Sequence, residues 1–153
     1  MSYRILWLSL FVIMAVEARA VDETDIEGRW LSGDGTGYIN IRLVDGRPIG
    51  TAGLATDKRD PKLPITDIHN PDETLRTRSL LGITILQGFE YDGDGVWKGG
   101  TVYDPNSGKV YKSTLTLVDK STLKVRGYVG FSWIGASDIW IRVGPPNSPA
   151  VPD

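Results

Sequence analysis

At 153 residues the chain sits in the range of one domain, and 41% hydrophobic with 24% charged residues is an ordinary globular mixture. A formal net charge of −2 supplies no excess of cations of the kind that displaces counterions from nucleic acid. The absence of cysteine excludes disulfides, thiol catalysis and thiolate metal sites, so the core must hold by packing alone.

The chain opens with "MSYRILWLSLFVIMAVEARA": a basic residue at Arg4, a mostly apolar run from Ile5 to Val16, then small residues at Ala18 and Ala20. This is the grammar of a signal peptide over residues 1–20, with cleavage expected after Ala20. A membrane anchor is the alternative, but the run falls short of the roughly 20 residues needed to cross a bilayer. Without Arg4, Arg19 and Glu17 the mature chain carries 15 basic and 18 acidic side chains, a net charge of 15 − 18 = −3. The expectation is export to the periplasm or beyond, with no transmembrane segment in the mature chain and no nucleic-acid partner.

From Ile26 onward short β-like runs alternate with turn residues. Residues 26–32 lead into the turn "GDG", and 36–44 alternate Tyr38, Asn40 and Arg42 against Ile39, Ile41 and Leu43. Asp45-Gly46 can take the positive φ angles of a tight hairpin, and it links this run to 47–56. Further runs cover 82–91, 96–103, 109–118, 122–131 and 137–143. These eight candidate strands, joined mostly by hairpin-length turns, predict an all-β, eight-stranded antiparallel up-and-down barrel over 21–143, with a β-sandwich as the alternative. The tail 144–153 holds four prolines and is expected to be extended and disordered.

The meander is interrupted only at 57–81, a connection long enough to suggest function or internal structure. Asn70, Pro71 and Glu73 supply an N-cap, a first-turn proline and a capping-box acid, which predicts about two helical turns over 71–78. Arg76 and Arg78 then have three available jobs: satisfying helix carbonyls, pairing with Asp67, or reaching an anionic ligand at the barrel mouth.

Three stretches, "DIHNPDETLRTRSLLG" (67–82), "WKGGTVYDPNSGKVY" (97–111) and "LKVRGYVGFSWIGASDIWIRV" (123–143), resemble the exported bacterial family known as domain of unknown function 2147. The resemblance spans about 25–143 and implies an exported lipocalin-like barrel; it brings no activity with it. Members of that family often carry cysteines near the positions here held by Ile49 and Leu81, and this chain must do without them. A second resemblance, to the calycin group that includes lipocalins, rests on Gly28-x-Trp30 in the first strand and Arg142 in the last. It implies that the Arg142 guanidinium lies on the Trp30 indole and closes one barrel end.

Catalytic chemistry finds little purchase. His69 is the sole imidazole, and Ser79 and Ser113 are available hydroxyls, but no G-x-S-x-G turn brings them together. Most acids, including Asp34, Asp45, Asp92, Asp94, Asp104 and Asp119, sit in turns where nothing raises a pKa for glycoside hydrolysis. The "EYDGDGVWKGGT" stretch opens like a calcium loop but has Thr101 where the bidentate glutamate is required. The residues therefore indicate no catalytic group, no metal and no cofactor.

Aromatic and polar side chains interleave along several strands: Trp97, Gly99, Thr101 and Tyr103 on one face, Tyr111 and Ser113 on another, Trp140 and Arg142 on a third. Either these faces point inward and wall a small-molecule site, or they point outward while Val110, Val125, Ile139 and Ile141 fill a dry core. The candidate ligand residues are Arg76, Arg78, Trp97, Tyr103, Tyr111 and Trp140, with Gly28, Trp30, Asp67, Asn70 and Arg142 as structural supports. The leading expectation is a non-enzymatic envelope protein binding a small amphipathic or anionic molecule. A protein-interaction role in envelope maintenance and a hydrolase of envelope sugars are the alternatives.

Overall fold

The computed structural model describes residues 21–54, 66–131 and 133–145. The expected signal peptide, most of the expected tail and the first part of the 57–81 connection lie outside the described residues. Among the described residues nine strands form one antiparallel sheet: β1 (Gly28–Leu31), β2 (Gly37–Val44), β3 (Arg47–Leu54), β4 (Thr84–Gln87), β5 (Glu90–Gly93), β6 (Val96–Asp104), β7 (Lys109–Asp119), β8 (Thr122–Tyr128) and β9 (Gly135–Gly144). Each strand pairs with its neighbour in the chain, except that β4 pairs with β6 directly and β9 returns to β1. Those two pairings close an eight-stranded barrel and exclude a sandwich, because no pair of open sheets is left to face each other.

The expected strand 82–91 is two strands. Gly88 takes φ 80°, which carries the chain out of the β region. The piece before it pairs with the upper part of β6, through Leu86 and Val102, and the piece after it with the lower part, through Tyr91 and Trp97. The expected helix over 71–78 is also shorter than read. It is a single 3-10 turn, Glu73–Leu75, capped by Asp72 rather than Asn70. The Asn70 side chain instead accepts from the Asp72 amide at 2.8 Å, which spends it one step before the turn begins.

The inner face resolves the question of register. Trp30, Ile41, Leu86, Trp97, Leu115 and Leu123 are fully buried, and Trp140 and Val125 nearly so. Val110, Ile139 and Ile141 are 63%, 44% and 47% exposed, so that face looks outward; Val125 belongs with the inner set instead. Each fully buried aliphatic side chain contributes roughly 1.5–3 kcal/mol, and the packed rungs lie toward the end where β2 meets β3 and β7 meets β8. One parity reading fails at Gly99. This residue has φ 79° and sits in a bulge between Trp97 and Gly100, so Trp97 shares its face with Gly100 and Val102 rather than with Thr101 and Tyr103.

The packed end is sealed from below. A 3-10 turn, Glu23–Ile26, buries Ile26 under Trp30, whose Nε1 donates to the Ile26 carbonyl at 3.0 Å. The Arg142 guanidinium carbon lies 4.2 Å from the centre of the Trp30 ring system. Arg142 also donates to the carbonyls of Glu27, Asp25 and Lys120, which joins the last strand to the N-terminal turn and to the β7–β8 turn. Gly28 is required for this approach, since a Cβ there would stand 2.2 Å from Arg142 Nη1.

Candidate functional site

The opposite end of the barrel is capped by a clasp made of residues 66–79. Its ends meet at a bridge between Thr66 and Ser79, and the Asp67 amide donates to the Arg78 carbonyl at 3.0 Å. Asp67 has no exposed surface. Its Oδ2 accepts from Arg78 Nε and Nη2 at 2.9 and 2.8 Å and from Asn70 Nδ2 at 2.7 Å, while its Oδ1 accepts from the Tyr103 hydroxyl. Burial alone would raise the Asp67 pKa, but the hydrogen bonds from Tyr103, Asn70 and Arg78, with the Arg78 charge, more than offset it and hold the carboxyl below its ordinary range. Burial and the adjoining carboxylate push the Tyr103 phenol up to about 12. Of the three jobs open to Arg78, pairing with Asp67 is the one observed.

Arg76 is spent locally as well. Its Nε donates to the Asn70 carbonyl at 2.8 Å and its Nη1 to Glu73 Oε1 at 3.1 Å. The clasp rests on the β6–β7 hairpin: Gly108 packs so close to it that a Cβ would lie 1.8 Å from the His69 carbonyl oxygen. The His69 side chain is exposed, whereas Ser113 is fully buried on the inner face of β7, so these two do not form a catalytic pair. Ser79 accepts from the Leu81 amide at 3.1 Å and serves the loop backbone. The "DGDG" stretch is the β5–β6 hairpin turn, with Asp94 and Gly95 at φ 50° and 70°. Among the described residues no group of three His, Asp or Glu side chains converges on a metal-sized site.

Beneath the rim lies a cavity of about 240 Å³, open to solvent. Ile39, Ala52, Ile85, Val102 and Trp140 supply apolar wall, and Tyr38 and Tyr103 border the space from their strands. Leu80, from the chain just beyond the clasp, completes one side. Of the six candidate ligand residues, the structure brings Tyr103 and Trp140 to this wall. Trp97 is deep in the packed half, Tyr111 pairs with Val102 outside the lining, and Arg76 and Arg78 are in the clasp.

Of the three acids of the wall, Asp34 and Asp104 were read in the sequence as turn acids, and Asp138 was not singled out. Asp34 accepts from Ser32 Oγ at 2.6 Å and from the amide and hydroxyl of Thr36 at 3.0 and 2.8 Å. Burial would raise its pKa, yet these bonds hold it below the usual carboxylate range. Asp138 accepts from Trp140 Nε1 at 2.7 Å and from the Gly33 amide at 3.2 Å, fixing the indole against the wall and tying β9 to the β1–β2 turn. Asp104 accepts from Ser107 Oγ at 2.6 Å and closes the β6–β7 hairpin. The signal that could have found them was position: all three fall in or beside segments that the topology gathers at one barrel end.

The family model described as "Uncharacterized protein conserved in bacteria (DUF2147)" matches residues 28–142. No curated protein matches the chain. Among solved structures, protein HP1028 from the human pathogen Helicobacter pylori, described as belonging to the lipocalin family, is similar with a TM-score of 0.68. The likeness covers 77% of this chain and 82% of that one at 20% identity, and at that distance it carries the fold.

Proposed function

The chain belongs to the bacterial family DUF2147, and on that premise we propose that it is an exported, non-enzymatic barrel that binds a small amphipathic molecule in the cell envelope. The observation that carries this reading is the 240 Å³ cavity, lined by aromatic and aliphatic residues and open to solvent beside the clasp, at the barrel end opposite the packed floor. Its volume falls just under the range of ligand pockets, which suits a small molecule or one end of a longer one. Export rests on the signal-peptide grammar of residues 1–20. Native mass spectrometry of protein purified without refolding from the envelope fraction of its host tests both parts. A discrete added mass on a chain beginning at Val21 is the expected result. A clean apo mass on a chain that retains residues 1–20 opposes both.

Hydrolysis is disfavoured by the acids themselves. Asp34, Asp67 and Asp72 are all pushed down, whereas a general acid near neutrality needs a raised value. If His69→Ala abolished a measured activity without changing stability, the non-enzymatic reading would fall.

One observation favours a second reading, an interaction role. At the tip of the β8–β9 hairpin Val129, Phe131, Trp133 and Ile134 are all more than half exposed, and the Phe131 and Trp133 rings stack with centroids 4.5 Å apart. Exposed apolar groups in one place mark contact surfaces more often than isolated ones do. Phe131→Ser with Trp133→Ser should leave the fold and cavity binding unchanged; loss of an envelope phenotype in that variant would move the function to the hairpin tip.

A further inference from the structure

Among the described residues the wall of the cavity is charged with one sign only. Asp34, Asp104 and Asp138 line it, and among the described residues no lysine, arginine or histidine does. Arg29 comes close to the wall, its guanidinium carbon 5.7 Å from the centre of the Tyr38 ring, but it stands outside the lining and donates to Asn40 at 3.0 Å. The two arginines that a sequence reading offers to an anionic ligand are held by Asp67 in one case and by Asn70 and Glu73 in the other.

Resting on the carrier reading above, we propose that the molecule taken by this cavity carries a positively charged head, an organic amine or quaternary ammonium, on a compact apolar body. Two independent features recognise that chemistry. The carboxylates set a negative potential that low-dielectric walls focus into the opening, which attracts cations and repels anions. Tyr103 and Trp140 are aromatic residues of the same lining, and aromatic rings hold ammonium groups through the ring quadrupole. The bonds that Asp34 accepts from Ser32 and Thr36 keep it ionised, so its charge persists well into the acid range. The volume limits the body: at roughly 30 Å³ per water the cavity equals about eight waters, enough for a fused bicyclic ring or a short chain.

The selection works by exclusion as much as by attraction. A carboxylate or sulfate ligand would desolvate its charge beside three of the same sign, with no donor side chain of opposite charge in the wall. A neutral ligand would meet neither penalty nor reward.

Three probes of one shape separate these cases: naphthylmethylamine, naphthylmethanol and naphthoate, titrated calorimetrically into the full chain at low and at high salt. The amine is expected to bind at least about tenfold more tightly than naphthoate, equivalent to ~1.4 kcal/mol, with the alcohol between them. Raising the salt should narrow that ratio by weakening the amine and leaving the alcohol unmoved. In Asp34→Asn with Asp104→Asn, whose amide oxygens can keep the turn bonds, the ratio should fall to about threefold or less, with an unchanged melting temperature reporting that the barrel is intact; a ratio still about tenfold overturns the assignment. Equal binding of all three, or preference for naphthoate, overturns the cation assignment and leaves the carrier standing. No binding by any of them overturns the carrier reading and the assignment with it.

Discussion

The guanidinium carbon of Arg142 stands 4.2 Å from the Trp30 ring centre while its nitrogens donate to three backbone carbonyls. One side chain thus seals the barrel floor and joins both ends of the sheet. Burial pulls the Arg142 pKa down and the Asp25 carboxylate pulls it back up, and the group stays a cation at every physiological pH. Arg142→Ala removes the cation–π contact and strands the Glu27, Asp25 and Lys120 carbonyls, so a loss of about 3–5 kcal/mol is expected in urea unfolding. Arg142→Lys should recover less than half of it, because an ammonium cannot fork to three acceptors from above an indole.

Gly28 and Arg142 should be energetically coupled. A methyl at 28 would displace the Nη1 end, which is anchored by the Glu27 carbonyl at 2.6 Å, so Gly28→Ala should cost about 1–3 kcal/mol. Once Arg142 is already alanine, the same methyl meets far less resistance. The double variant is therefore expected to lose about 1 kcal/mol or more less than the two single losses combined, and strict additivity would separate the two residues.

The clasp gives the stability an alkaline edge. Tyr103 has its folded pKa raised from the ordinary 10 to about 12, since burial and the Asp67 carboxylate both favour the neutral phenol. A raised folded value contributes stability that is complete below pH 10 and lost as pH climbs through 12. Asp67 runs the other way: its lowered pKa contributes stability present above the unfolded value of 3.8 and lost as pH falls through the folded one. The difference in melting temperature between the parent and Tyr103→Phe should be flat across neutral pH and shrink between pH 10 and 12. A constant difference over that interval would mean that the phenol does not titrate with folding.

How far the residues declared this arrangement depends on whether their signals were local. Asp45-Gly46, with φ 50° and 73°, is a hairpin turn that a dipeptide announces, and the alternation of Ile39 and Ile41 with Tyr38 and Asn40 fixes the faces of β2. The pairing of Trp30 with Arg142 was legible through the resemblance to the calycin group. What stayed hidden were single-residue events. Gly88 breaks one strand in two, and the extra residue at Gly99 reverses the parity of everything after it, which no period-two reading carries across. The site was misweighted for a different reason. Arg76 and Arg78 looked available because their acceptors are a main-chain carbonyl and an aspartate eleven positions away, whereas Asp34 and Asp104 looked like turn acids and are both that and cavity wall, and Asp138 went unread within its strand.

Whether the clasp is truly docked on the β6–β7 hairpin can be read from two glycines of similar backbone and different surroundings. Gly35 and Gly108 adopt φ 72° and 68°, a conformation that costs any L side chain about 1 kcal/mol. A Cβ at Gly35 meets nothing within 4 Å, but at Gly108 it would lie 1.8 Å from the His69 carbonyl oxygen and 2.7 Å from its carbon, which are main-chain atoms with no rotamer to yield. Gly35→Ala should therefore lose only the backbone term, about 1 kcal/mol. Gly108→Ala should lose about 3 kcal/mol or more, or else release the clasp, which amide exchange would report as faster opening at Asp67 and Asn70 with β7 and β8 unchanged. Equal, small losses in both variants, with Asp67 still protected, would mean that the hairpin and the clasp are not in contact.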